Sequence, residues 1–100
     1  MASFEQHVRN ALDSLPPDIA AALRNVAIVI EDENREEPDL LGLFEEHEYM
    51  PAKVTIYRLP LQEDFPDPRE LEREIRITVL HELAHYFGID EDRLDELGYG

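Results

Sequence analysis

Between Asp67 and Gly88 the chain spells out both ends of one long helix. Asp67 suits an N-cap, Pro68 suits the first turn, and Glu70 completes a capping box. Leu71, Ile75, Val79 and Leu83 recur at helical spacing and form an inward stripe, with Thr78, Leu80 and Ala84 beside it. Gly88 suits a left-handed C′ position, where a side chain is strained. The pattern predicts a helix from Pro68 to about Phe87, a fifth of the hundred-residue chain. A short helix with Asp90 as N-cap and Gly98 as its stop is expected to follow.

Upstream, Ser3 to Leu15 reads as a helix. Ser3 and Gln6 suit a capping box, and Phe4, Val8, Ala11, Leu12 and Leu15 share one face. Pro16 and Pro17 end it. Asp18 to Asn25 reads as a second, alanine-rich helix. Val26 to Ile30, VAIVI, is β-branched and apolar and predicts a buried strand. Asp32 to Asp39 is a charged loop. Leu40 to Phe44 is ambiguous, a strand interrupted at Gly42. EEHEYMP makes a turn, and Lys53 to Leu59, KVTIYRL, predicts another strand. No repeat or inner linker divides the chain, so residues 1–100 read as one α+β domain.

Composition narrows the partners. The formal net charge is −15, and there are no cysteines. Dense negative charge repels phosphate, so nucleic acid and anionic membranes are not expected partners. Disulfides, thiolate metal sites and cysteine nucleophiles are excluded together. No signal-peptide pattern opens the chain and no apolar run has spanning length, so a cytoplasmic location is expected. The same acidity suits solubility and would also attract cations or basic peptides.

The long helix ends in HELAHYFG, residues 81–88. Residues four apart project from one helix face, so His81 and His85 can offer imidazole nitrogens to one ion at about 2.0–2.1 Å for zinc. Glu82 stands next to His81 around the helix, placed to act as a general base rather than a ligand. Zinc lowers the pKa of its bound water to about 7, within reach of a carboxylate base at neutral pH. With the chain's 4 His, 15 Glu and 4 Gly, the motif with its glycine arises in about one shuffled sequence in a thousand. The structural alternative is two histidines flanking a core stripe.

HELAHYFGIDEDRLDELG resembles the signature of the minimal zincin-like metallopeptidases, a family of short bacterial proteins. Its pattern is H-E-x-x-H-x-x-G-x-x-D, followed by an R-L and an acidic-leucine-glycine tail. LLGLF, KVTIYRLPL and DPRELEREIR resemble the segments that precede it. The resemblance covers roughly Leu40 to Gly98. It implies a minimal zincin-like fold, a short β-sheet packed on the ligand-bearing helix, and a zinc peptidase with one Zn2+ ion. By position, it implies His81 and His85 as metal ligands, Glu82 as base and Gly88 as the turn. The family's third ligand, an aspartate, falls at Glu91 here. Asp90, Asp92 and Asp95 stay open as alternatives, although Asp90 suits a cap and the other two a solvated face.

Only 15 residues follow His85, without space for a second subdomain, so the cleft is expected to be open on one side. If KVTIYRL is an edge strand, its free backbone groups would pair with an extended peptide beside the metal, although simple membership of the sheet is the favoured reading. Tyr57, Tyr86 and Tyr99 are phenols that can help an oxyanion, though packing explains each. His7 and His47 sit in charged contexts that read as exposed, and they carry no expected role. Two function classes follow. One is a zinc-dependent peptidase acting on a peptide or protein substrate. The other is a non-catalytic metal-binding or protein-interaction module on the same scaffold.

Overall fold

The computed structural model describes residues 2–88 and 90–96, apart from the side chain of Glu91. Its helices are α1 (Phe4–Asp13), α2 (Pro17–Ala22), α3 (Arg58–Asp64), α4 (Pro68–Phe87) and α5 (Glu91–Glu96), with a 3-10 turn at Leu23–Asn25. Its strands are β1 (Val26–Glu31), β2 (Gly42–Glu45) and β3 (Ala52–Tyr57). This is the expected α+β architecture. Among the described residues, no helix is long and apolar enough to cross a membrane.

The capping residues sit where their chemistry places them. The Ser3 hydroxyl accepts from the Gln6 amide at 3.2 Å, but the Gln6 side chain donates to Asn10 instead of closing a reciprocal box. Asp67 accepts from the amides of Arg69 and Glu70 at 2.9 and 3.2 Å. Gly88 ends α4 at φ 66°, the left-handed conformation expected of it.

The sheet order is β1-β3-β2, with β1 parallel and β2 antiparallel to β3. Register places Ile28 beside Val54 and Ile30 beside Ile56, so one face carries an unbroken apolar set. Ile75, Val79, Leu80 and Leu83 of α4 belong to the same buried core. Each is 0% exposed, and full burial of such a side chain contributes about 1.5–3 kcal/mol. Phe4, Val8 and Ala11 bring α1 to that core, where the His7 ring donates to the Glu72 carboxylate of α4 at 2.5 Å. His7 is therefore a half-buried packing residue rather than an exposed one.

One expectation needs correction, and one condition is not met. KVTIYRL is not a strand to Leu59. The strand stops at Tyr57 and α3 begins at Arg58, with Pro60 in its first turn, where proline's fixed φ is tolerated. Nor is it an edge. β3 is the central strand, hydrogen-bonded on both sides, so it has no free backbone for a peptide. β2, the ambiguous segment, packs on α4 together with β3, and it begins at Gly42 rather than breaking there.

The charged loop after β1 is folded around Asn34. Its carbonyl accepts from the amides of Glu36 and Glu37, both at 2.9 Å, and its amide donates to the Tyr57 hydroxyl at 3.0 Å. Asp32 binds Arg58 through two hydrogen bonds at 3.0 and 2.6 Å, and the Tyr57 amide donates to the Leu41 carbonyl at 3.0 Å. These bonds hold the segment that leads into β2 against the end of the central strand.

Candidate metal and catalytic site

β2 approaches α4 through the only kind of residue that allows it. A Cβ on Gly42 would stand 2.5 Å from Thr78 Cγ2, well inside contact distance, and 3.3 Å from the Thr55 carbonyl oxygen. Thr78 is buried and, as a β-branched residue on a helix, has little rotamer freedom to yield. The missing side chain lets the strand settle against the helix one turn below Glu82, whose Cγ lies 3.9 Å from the same point.

This seam opens into a cleft of about 390 Å3 lined by Asp39, Leu40, Leu41, Gly42, Thr78, His81, Glu82 and His85. The three residues singled out by the motif thus share one cavity wall. His81 is exposed and His85 stands one helical turn further on, while Glu82 is half-buried beside them, facing β2. Burial pushes the Glu82 carboxyl above the ordinary glutamate range, and the neighbouring His85 and His81 partly oppose that shift. A carboxyl desolvated in this way is a stronger proton acceptor than one in water.

Among the described residues, no group of three or more His, Asp or Glu side chains stands ready to hold a metal ion. Two imidazoles on one face are nevertheless the donor chemistry that zinc takes, and they fit two of its protein ligands. The Glu91 side chain, the expected third, lies outside the described residues. Its neighbours are placed. Asp90 accepts from the Arg93 amide at 2.9 Å and is therefore engaged as the N-cap of α5. Asp92 and Asp95 are exposed. Arg93 binds Asp18 at 2.8 Å and Leu94 is 8% exposed, so α5 is fastened to the body of the molecule.

Of the phenols, Tyr57 is buried and its hydroxyl is occupied by Asn34. Tyr86 stacks on Phe44 with ring centroids 4.6 Å apart, and Tyr99 lies outside the described residues. Asp39 is a cleft residue that sequence reading missed. Its only signal was membership of a charged loop, which says nothing about where the loop returns.

The profile of a family described as zincin-like metallopeptidase matches residues 23–100. The chain belongs to the zincin-like metallopeptidase family. No curated protein matches it. The family match spans β1 through the end of the chain and so includes both walls of the cleft, β2 and α4.

Proposed function

We propose that this zincin-like protein is a zinc-dependent peptidase, with His81, His85 and Glu91 as metal ligands and Glu82 as general base. The observation that carries the reading is the shared cleft: His81, Glu82 and His85 line one cavity whose opposite wall leads into strand β2. Bound zinc supplies Lewis acidity toward the scissile carbonyl and lowers the pKa of water to about 7. Glu82 accepts the proton of the attacking water and returns it to the leaving amine, a role suited to its raised proton affinity. The helix fixes Glu82 through the buried Leu80 and Leu83 that flank it, so the base is held without being a ligand.

Strand β2 gives the substrate its place. It pairs with β3 on one side only, and among the described residues no strand covers its other side. An extended peptide can hydrogen-bond to that edge and present its backbone to the cleft. The peptide-pairing role that KVTIYRL would have had as an edge strand thus passes to the neighbouring strand.

Zinc titration of the purified protein, followed by cleavage of a peptide library, tests the reading. Wild type should bind one zinc ion and cleave. Glu91→Ala should weaken zinc binding about tenfold or more, since catalytic zinc takes three protein ligands. Zinc binding untouched by Glu91→Ala but lost in Asp95→Ala or Asp92→Ala would move the third ligand. Zinc binding without cleavage of any peptide would favour the non-catalytic module.

A further inference from the structure

A second cavity lies along the same seam, beyond the cleft. It encloses about 440 Å3 between Glu46, His47, Glu48, Met50, Ala52 and Tyr86. It has an aromatic side. Tyr86 packs against Phe44 and Phe87 with both centroid distances 4.6 Å, the first tilted and the second edge-on. It also has an acidic rim. Among the described residues Glu46 and Glu48 form no ion pair, whereas the adjacent Glu45 is taken by Lys53 at 3.6 Å. Glu46, His47 and Glu48 do not form a metal-holding group. Met50 and Tyr86 are 68% and 44% exposed, so the apolar surface is open to an incoming group.

Its position relates it to the cleft. Tyr86 follows His85 directly, and Glu46 follows the last residue of β2. A strand advances about 3.3 Å per residue, so Glu46, the cavity's lining residue just past β2, is about 13 Å beyond Gly42 along the edge. A peptide lying on β2 with its scissile bond at His81, Glu82 and His85 therefore brings a residue about four positions from that bond over the second cavity.

We propose that this cavity is a substrate side-chain subsite that selects lysine or arginine. The proposal rests on the peptidase reading above. A long basic side chain matches each wall: its methylene stem covers Met50, its charged head meets Glu46 and Glu48, and the Tyr86 ring face attracts a cation. The chain's formal charge of −15 draws basic peptides to the surface before they dock. Arginine is favoured over lysine because its planar group both stacks on a ring and spans two carboxylates.

The test is cleavage of a diverse peptide library by zinc-loaded wild type and by Glu46→Lys/Glu48→Lys, with cut positions read by mass spectrometry. Wild type should prefer Arg or Lys at one fixed position by about tenfold, the scale of two partly exposed ion pairs. The double variant should lose or reverse that preference, read within each enzyme as the ratio of Arg or Lys peptides to Leu or Met peptides cut at that position. Raised salt should weaken the wild-type preference. Cleavage without a basic preference, or with one that the double variant keeps, overturns the subsite and leaves the peptidase reading intact. If wild type cuts nothing, the peptidase reading fails, and fluorescence anisotropy decides the pocket. Labelled arginine peptides should then bind wild type better than glutamate counterparts and lose the advantage in the double variant. Equal binding overturns the pocket as well. A dimer that Met50→Asp disperses would show a second copy filling the cavity and would equally overturn it.

Discussion

The two ends of α4 put the same chemistry to opposite uses. At the N-terminal half, Glu72 receives hydrogen bonds from His7 and Asn10, and Arg76 donates to Ser14 at 2.8 Å. Its polar groups are spent on holding α1. At the C-terminal end, His81 and His85 line a cleft with Glu82 beside them. Histidine and glutamate come together at both ends, but only one set is left available to a ligand. The difference lies in what crosses the helix. α1 covers the first half, while β2 meets the second through Gly42, which has no side chain, and then through Phe44 against Tyr86. An apolar stripe thus runs the length of α4, and the neighbour packed on its flank decides whether a polar residue is tied up in packing or faces an open cleft.

The sharpest break is at Glu82. Glu82→Gln should lower hydrolysis by about 10²–10⁴-fold while keeping zinc affinity within a few-fold, measured by kinetics and titration on one preparation. A large loss of zinc binding in that variant would make Glu82 a ligand and erase its distinction from the histidines. Removing an imidazole should do the reverse. His85→Ala should weaken zinc by more than the about 10–100-fold typical of losing an outer-shell partner. His7→Ala, at the other end, should leave zinc affinity unchanged, and an equal effect of the two would dissolve the contrast.

Gly42→Ala should act on the seam itself. Overpacking against Thr78 costs about 1–3 kcal/mol, and a chain of this length loses about 4–8 °C of Tm per kcal/mol. Thermal denaturation reads the effect, and pairing with Thr78→Ser, which removes the colliding methyl, should recover most of it. A Gly42→Ala variant as stable as wild type would show that β2 does not need this approach.

The smallest effect belongs to the structural end and depends on pH. Hydrogen bonds from His7 and then Asn10 hold the Glu72 carboxyl below the ordinary glutamate range. A depressed carboxyl adds stability above its unfolded-state pKa and loses it as pH falls through the lower folded value. Glu72→Gln should therefore lower Tm modestly at neutral pH and match wild type in strong acid. A Tm difference that persists below both values would assign the effect to packing rather than to charge.

Much of this was legible along the chain because its physics is local. Caps at Ser3, Asp67 and Asp90, the stripe from Leu71 to Leu83 and the turn at Gly88 depend on residues a few positions apart. KVTIYRL shows the limit. Its period of two is correct as far as Tyr57, but alternation cannot say whether a strand is central or at an edge. That depends on partners elsewhere in the chain, as Val54 shows by lying between Ile28 and Phe44. LLGLF was ambiguous for a related reason. Glycine weakens a strand in isolation, and its value here comes from Thr78 on a distant helix.

The sequence by itself determined the motif-bearing helix: its start, its stop, the face it buries and the spacing that sets His81 and His85 on a common side with Glu82 adjacent. Those follow from about 3.6 residues per turn and need no other part of the chain. Only the tertiary structure decided that β2, not β3, is an edge strand beside the cleft, that Asp39 shares the cleft, and that Tyr86 forms a wall of a second cavity. Those are consequences of which surfaces meet, and surfaces meet to bury apolar area that no single segment can bury alone.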